Sequence, residues 1–183
     1  MDSSTPEKDV TALTLDGLLH GFPHIPPEGG AMMAQAAVIC LVHQAHRSSV
    51  RLVVDGSFTA AFSLSWSERL TEAKRSFWND LEEATQQGAY AVAILLIRAL
   101  TGYTIIESSR KGTGFDWWLG TEDNLFQGKA RLEVSGILRG TTRRINDRIK
   151  ARMGQTRQSD NLALAAYVVV VEFGTPRAKV VQR

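Results

Sequence analysis

The chain has 183 residues, of which 44% are hydrophobic and 22% charged, and its formal net charge is +2. These values are typical of one globular domain that buries its own core. Because Cys40 is the single cysteine, a disulfide framework is excluded, and a reducing, cytoplasmic setting is expected. The sequence lacks a signal peptide, and its apolar runs are shorter than the roughly 20 residues of a membrane helix. We therefore expect a soluble protein with no membrane partner.

The N-terminal third divides into a polar segment and the first predicted elements. Residues 1–30 are polar and rich in proline, which predicts an N-terminal extension before a single domain over residues 31–183. Small and apolar residues without a breaker predict a helix over Ala31–His46. Two β-prone runs on either side of an Asp-Gly turn predict a hairpin over Val50–Ser65.

The next segment is predicted to be helical in two pieces. A Ser-x-x-Glu pattern at Ser65 resembles a capping box and predicts a helix through about Gln87, interrupted at Gly88. The run that follows, AYAVAILLIRAL, is apolar on nearly all sides, so it predicts a buried helix at the centre of the fold. Gly102 suits the left-handed position that ends such a helix.

Three short strands are predicted next, joined by connections short enough for antiparallel neighbours. Their ranges are Tyr103–Ser109, Gly114–Gly120 and Ala130–Ile137.

A basic segment follows, and Ile145, Ile149 and Met153 give it the apolar stripe of a helix. The run LALAAYVVVVEF predicts a buried central strand because four consecutive valines favour β structure and leave no polar face. The segment RAKVVQ predicts a last strand at the edge of the sheet. The order from Glu82 to Phe173 is thus helix, three strands, helix and strand, which predicts an α/β fold with a mixed sheet covered by helices.

Two carboxylates lie on adjacent predicted strands. Asp116 belongs to the second strand and Glu133 to the third, and direct pairing would bring their Cβ atoms to roughly 5 Å. Two carboxylates at that distance repel each other unless one is protonated or a cation lies between them. Mg²⁺ suits such a pair because it takes one or two protein carboxylates and keeps waters and phosphates as its other ligands.

The motifs GFDWWLG and LEVSG, in this order of elements, resemble the PD-(D/E)XK phosphodiesterase superfamily, which has the restriction-endonuclease-like fold. The resemblance covers roughly residues 82–173. It implies a nuclease, a hydrolase of phosphodiester bonds in DNA, with Mg²⁺ or Mn²⁺ held by Asp116 and Glu133. It also implies a carboxylate on the core helix, for which Glu83 is the first choice, Glu82 the competing one and Gln87 a neighbour.

One position departs from the family pattern. Where the superfamily has Glu-x-Lys, this chain has Ser135, whose hydroxyl shares the face of Glu133 and brings no charge. A cation from elsewhere would have to replace the lysine, and the candidates are Lys111 first and Lys129 second. The expected catalytic set is Asp116, Glu133, Ser135, Lys111 and Glu83, and the expected metal ligands are Asp116, Glu133 and Glu83.

The basic helix predicts contact with a phosphate backbone, because its cations far outnumber its acids. The residues expected to bind nucleic acid are Arg143, Arg144, Arg148, Lys150, Arg152 and Lys129. An equally ordinary interpretation is a solvated helix face.

A rival hypothesis keeps the fold and removes the catalysis. Without the motif lysine, the chain would be an inactive nuclease-fold subunit that binds nucleic acid or protein in a larger complex. By family analogy, small bacterial proteins of this type act in restriction or antiviral (phage) defence beside a larger partner, and a homo-oligomer is a further option. The four histidines lack the spacing of a zinc site. One of Trp117 and Trp118 is expected in the core, the other on the Asp116 face.

Overall fold

The computed structural model of the protein describes residues 10–22, 24–124 and 130–183. Its α-helices are α1 (Pro27–His43), α2 (Glu72–Phe77), α3 (Leu81–Thr101) and α4 (Thr142–Thr156). Its strands are β1 (Thr11–Thr14), β2 (Val50–Gly56), β3 (Ala60–Ser65), β4 (Thr104–Ser108), β5 (Trp117–Gly120), β6 (Ala130–Ile137), β7 (Ala165–Glu172) and β8 (Arg177–Gln182). The eight strands form one mixed sheet in the order β1-β3-β2-β8-β7-β6-β5-β4, so the predicted α/β class is confirmed.

Helix α3 is the central helix, as its apolar sequence predicts. It packs against α1 and against strands β6 and β7. Gly88 lies inside α3, where a Cβ atom would come within 2.8 Å of the Ala37 backbone. The glycine therefore permits close approach of α1 and α3 and does not interrupt the helix. Helix α3 ends as expected at Gly102, whose φ of 75° is in the left-handed region.

The helix predicted from Ser65 to Gln87 is wrong in its boundaries. Helix α2 begins after Thr71, whose hydroxyl accepts a hydrogen bond from the Lys74 N–H at 3.3 Å. The helical conformation ends after α2. Helix α3 then begins after Asp80, whose Oδ1 accepts a hydrogen bond from the Glu82 N–H at 2.9 Å. Two capping side chains thus set these helix starts, and the capping-box pattern at Ser65 does not.

Strands β4, β5 and β6 form the predicted antiparallel meander. Trp118 of β5 pairs with Glu107 on one side and with Arg131 on the other. Helix α4 then crosses over to β7, which runs parallel to β6. Strand β7 is buried along its length, which confirms the central strand predicted from the valine run.

The two faces of β6 serve different helices. Leu132 and Val134 belong to the core that contains α3, whereas Ile137 belongs to the smaller core that contains Ile145 and Ile149 of α4. Side chains alternate along a strand, so Glu133 and Ser135 lie on the α4 face. Both are buried. The carboxyl group of Glu133 and the hydroxyl of Ser135 therefore face the side of α4 that packs on the sheet.

Strand β8 is not an edge strand. It pairs antiparallel with β7 and parallel with β2, so it joins the N-terminal hairpin to the rest of the sheet. The hairpin itself is confirmed, with Val50 of β2 opposite Leu64 of β3. Lys179 is tolerated on this interior strand because its Nζ donates a hydrogen bond to Asn146 Oδ1 on α4 at 2.9 Å.

Part of the segment predicted as an extension belongs to the fold. Strand β1 pairs in parallel with β3, and a 3₁₀ turn over Leu15–His20 follows it. Leu15 and Leu18 of this turn are buried in the main core. A Cβ atom on Gly30 would lie 2.1 Å from the Leu18 carbonyl oxygen, so α1 also packs closely on this segment.

Candidate active site

Asp116 lies immediately before β5 and extends its pairing with β6. Its N–H donates to the Leu132 carbonyl at 2.8 Å, and its Oδ2 accepts from the Val134 N–H at 2.8 Å. The carboxylate thus takes the place of a backbone acceptor where the strand pairing ends. This arrangement brings Asp116 beside Glu133, as the sequence predicts. The two carboxyl groups lie close enough to share a proton, and this contact opposes the rise that burial causes in the pKa of Asp116 and adds to the rise in the pKa of Glu133.

The second oxygen of Asp116 is held from the helix side. Tyr90 of α3 donates its hydroxyl to Asp116 Oδ1 at 3.2 Å. The Tyr90 ring packs edge-on against Trp117, with ring centroids 5.8 Å apart. Burial, followed by the Asp116 charge, raises the pKa of Tyr90 to about 12, so the hydroxyl remains a donor. Burial also raises the pKa of Asp116, although hydrogen bonds from Val134 and Tyr90 oppose this shift.

Glu133 is the more unusual member of the pair. Its residue is 1% exposed, and its Oε1 accepts from Arg152 Nη1 at 2.9 Å. Its Oε2 is buried and has no hydrogen-bond partner among the described residues. Burial first, and the Asp116 charge second, raise the pKa of Glu133 to about 8, and Arg152 offsets this only in part. The unpartnered oxygen is therefore available to a proton or to a cation.

Asp116 and Glu133 suit a Mg²⁺ ion that takes only a few of its ligands from the protein. Within the described ranges, no group of three or more His, Cys, Asp or Glu side chains is arranged to hold a metal ion. Two carboxylates with one unpartnered buried oxygen nevertheless suit Mg²⁺, which usually completes its shell with waters and substrate phosphates.

Ser135 is in contact with a cationic side chain of α4. Arg148 Nη1 donates to Ser135 Oγ at 2.9 Å, one helical turn before Arg152. Burial, and then the charges of Arg152 and Arg144, lower the pKa of Arg148. No ion pair joins Arg148 to a carboxylate in the described part of the chain. The position of the motif lysine is thus associated with a half-buried guanidinium that lacks a direct counter-charge.

The two lysines expected to replace the motif lysine have different outcomes. Lys111 is exposed in the loop between β4 and β5, and the described hydrogen bonds and ion pairs do not connect it to Asp116 or Glu133. Lys129 lies outside the described residues. The structure therefore places Arg148, rather than Lys111, against Ser135.

The face of α3 directed at the site carries Gln86 and Tyr90. Gln86 Nε2 donates to the Val134 carbonyl at 3.2 Å, and its Oε1 accepts from the Gly136 N–H at 3.4 Å. The expected metal ligand Glu83 is exposed and accepts from Gln87 Nε2 at 2.9 Å, away from the pair. Glu82 precedes Gln86 by one turn, on the Tyr90 side of the helix.

The Glu82 charge acts on Arg148, in the direction that raises the pKa of the guanidinium. Glu83 instead lines a small surface cavity together with Met32 and Phe77. Of the two glutamates considered for the core helix, Glu82 therefore lies on the side of the site and Glu83 does not.

The basic residues of α4 fall into two groups. Arg148 and Arg152 reach inward to β6, whereas Arg143, Arg144 and Lys150 are exposed. Arg143 makes an ion pair with Asp147 at 3.9 Å. The predicted nucleic-acid surface is thus an outer set of cations beside two inner ones.

The sequence pattern does not single out Gln86 or Tyr90 as site residues. It predicts contacts to a nucleic-acid phosphate backbone for Arg148 and Arg152, and not their contacts with β6. The available signal was spacing: Glu82, Gln86 and Tyr90 repeat every four residues along α3. Trp117 packs against the main core, as expected for one of the two tryptophans, and Trp118 packs edge-on against Phe115.

Comparisons of the chain with protein-family models, with curated proteins and with solved structures find no match. None of the described helices combines the length and the apolar character of a membrane-spanning segment.

Proposed function

We propose that the protein is a restriction-endonuclease-like hydrolase that cleaves phosphodiester bonds in DNA with the help of Mg²⁺ or Mn²⁺. The observation that carries the proposal is the buried Glu133 Oε2, which has no hydrogen-bond partner among the described residues although the Asp116 carboxyl lies beside it and Arg152 binds the other oxygen. The order of α3, the β4-β5-β6 meander, α4 and the parallel strand β7 supports the fold assignment. Function is nevertheless argued from the site, since one fold serves many activities.

Asp116 and Glu133 would hold the metal, with Glu82 rather than Glu83 as the nearby helix carboxylate. When bound, the ion supplies Lewis acidity and a water of lowered pKa. Tyr90 and the Val134 N–H fix the orientation of Asp116 through its two oxygens. These contacts hold the carboxylate in place before any ligand binds.

Arg148 takes the part of the motif lysine in binding the scissile phosphate. A guanidinium remains charged and cannot act as a general base, so Arg148 stabilises developing negative charge and does not remove a proton from water. Ser135 positions that guanidinium by accepting its hydrogen bond. The outer residues Arg143, Arg144 and Lys150 would contact flanking phosphates. The resemblance implies a setting in restriction or antiviral defence beside a larger partner.

Nuclease assays test the proposal directly. Wild type is incubated with single- and double-stranded DNA and RNA in Mg²⁺ or Mn²⁺, in parallel with Asp116→Ala and Arg148→Gln. We expect cleavage by wild type and a loss of about 100-fold or more in both variants, because Asp116→Ala removes a metal ligand and Arg148→Gln removes a stabilising donor. Asp55→Ala, an exposed acid on β2, is the matched control and should retain activity. Absence of cleavage by wild type on every substrate would rule out catalysis by the chain alone.

A second candidate function is a nuclease-fold module that binds nucleic acid without cutting it. Two observations favour it: Arg152 is already bound to Glu133, and Ser135 stands where the motif has lysine. DNA binding measured by fluorescence anisotropy separates the two functions. Binding that weakens with salt, survives Asp116→Ala and falls when Arg143 and Arg144 are replaced, without cleavage, would support the module.

A further inference from the structure

Arg152 occupies an oxygen that the proposed metal site needs. Its Nη1 donates both to Glu133 Oε1 and to Gln155 Oε1, each at 2.9 Å. The side chain of Arg152 is 28% exposed, whereas that of Glu133 is 2% exposed. The cation therefore reaches a buried acid from the solvent side through a single nitrogen.

Arg131, two residues before Glu133, is an arginine held firmly by hydrogen bonds and is the comparison for Arg152. It is 3% exposed, and its two terminal nitrogens donate to the Thr156 and Leu164 carbonyls and to Ser159 Oγ. Within the described ranges, Arg152 hydrogen-bonds to two side-chain oxygens only, and Gln155 lies on its own helix. Arg152 can therefore leave Glu133 without breaking a contact to the backbone.

Charge balance indicates where Arg152 would go. A divalent metal displaces the proton that Asp116 and Glu133 share and balances the two carboxylates, and Arg152 then loses its counter-charge. Arg148, one turn away, hydrogen-bonds to the neutral Ser135 hydroxyl and to no carboxylate among the residues that the structure describes. Two neighbouring guanidinium groups without a carboxylate form a site for a phosphate diester, which accepts hydrogen bonds from several donors.

We propose that Arg152 is a displaceable internal cation, which binds Glu133 in the metal-free protein and moves to the substrate phosphate when the metal binds. This inference rests on the proposed metal site. It makes metal and phosphodiester binding mutually favourable, because each ligand removes the charge that opposes the other. By linkage, DNA must strengthen metal binding by the same factor by which the metal strengthens DNA binding.

Calorimetric titration of Mn²⁺ into the full chain, without nucleic acid, tests the displacement. In Arg152→Gln the competing cation is gone, and we expect Mn²⁺ to bind about ten-fold more tightly than to wild type, the size of a close charge-pair coupling. Arg152→Lys retains the charge and should stay near the wild-type affinity. Arg148→Gln, the matched control one turn away, should tighten binding much less, since Arg148 does not contact Glu133.

The coupling is tested with a short single-stranded DNA carrying uncleavable phosphorothioate linkages. We expect Mn²⁺ to strengthen its binding to wild type, and Arg152→Gln to reduce this coupling while its Mn²⁺ affinity rises. Thermal unfolding checks that each variant is folded. If Arg152→Gln does not fold, the coupling in wild type decides, and equal DNA affinity with and without Mn²⁺ would overturn the inference.

The outcomes separate the inference from the proposed function. Mn²⁺ binding and cleavage by wild type, with unchanged or weaker Mn²⁺ binding in Arg152→Gln, overturn the displaceable cation alone. Mn²⁺ binding by Arg152→Gln but not by wild type supports the displacement in its strongest form. Failure of wild type and all variants to bind Mn²⁺ or to cleave overturns the metal-dependent function, and the inference with it.

Discussion

Two buried glutamates of this sheet, Glu133 on β6 and Glu172 on β7, are each 1% exposed and have contrasting surroundings. Glu172 accepts five hydrogen bonds, from three backbone N–H groups, the Thr175 hydroxyl and Arg177. In the described part of the chain, Glu133 accepts one, from Arg152, and the Asp116 carboxyl lies close enough to share a proton with it. A buried acid whose two oxygens are both satisfied stabilises a turn, whereas one left with a free oxygen next to another acid is open to a proton or to the cation that we propose.

Among single substitutions at pH 7, the largest expected effect comes from Glu172→Gln. The amide replaces one acceptor oxygen with a donor that faces other donors and leaves Arg177 without its carboxylate. We expect a loss of about 3 kcal/mol in the free energy of unfolding, measured with urea. Glu133→Gln is the matched variant and should change stability at pH 7 by less than about 1 kcal/mol. Equal losses in both variants would remove the distinction between the two glutamates.

The pH dependence of stability sharpens the comparison. The pKa of Glu133 is raised from 4.5 to about 8, so the folded chain binds this proton more tightly than the unfolded chain. The stability from this group is present below about pH 4.5 and is lost as pH rises toward 8, by up to about 1.4 kcal/mol per pH unit. Urea unfolding from pH 5 to 8 should show this decline in wild type and a shallower one in Glu133→Gln. Parallel curves would contradict the assignment.

A smaller effect is expected when the neighbour of Glu133 is neutralised. Asp116→Asn removes a charge that raises the pKa of Glu133, while the burial that contributes most to the shift stays. The pKa of Glu133 should therefore fall below about 8 and remain above its ordinary value. This pKa is measured from the difference in unfolding free energy between Asp116→Asn and the double variant Asp116→Asn with Glu133→Gln, followed against pH. Its midpoint is compared with that of the difference between wild type and Glu133→Gln. A midpoint that does not move would mean that the two carboxylates are not coupled.

The smallest effect is expected for Tyr90→Phe. This change removes one hydrogen bond to Asp116 and leaves the one from Val134, and a single bond contributes about 1 kcal/mol. The edge-on contact with Trp117 is kept, so packing is unchanged. Chemical unfolding measures the loss, and Tyr103→Phe, for which no hydroxyl hydrogen bond is described, is a control on another aromatic pair. Equal losses would indicate that the Asp116 contact adds nothing.

Much of the sheet could be predicted because local patterns and tertiary structure agree there. The valine run of β7, the stripe of Ile145 and Ile149 on α4 and the three-strand meander all follow from periodicity. Adjacent strands then brought Asp116 and Glu133 together in the prediction. These features depend on alternation and short connections, which are visible in one sequence.

The features that could not be predicted depend on contacts between distant segments. Gly88 resembles a helix breaker until Ala37 of α1 is placed against it. Strand β8 has the alternation of an edge strand, and only the partner of Lys179 on α4 explains how it lies inside the sheet. The inward direction of Arg148 and Arg152 follows from the rotation of α4 over β6, which an apolar stripe fixes only approximately.

Strand β8 also constrains when the protein can complete its fold. Val54 of β2 pairs with Ala178 of β8, so the hairpin made early in synthesis meets its sheet partner only after almost the whole described chain has been made. Until then β2 and β7 each have an unpaired side, and exposed strand sides of this kind promote aggregation. The long separation between paired residues also favours slow folding. A nascent chain that has not yet made residues 177–182 would therefore carry two open strand sides, and a chain with the β8 pairing blocked is expected to aggregate more readily.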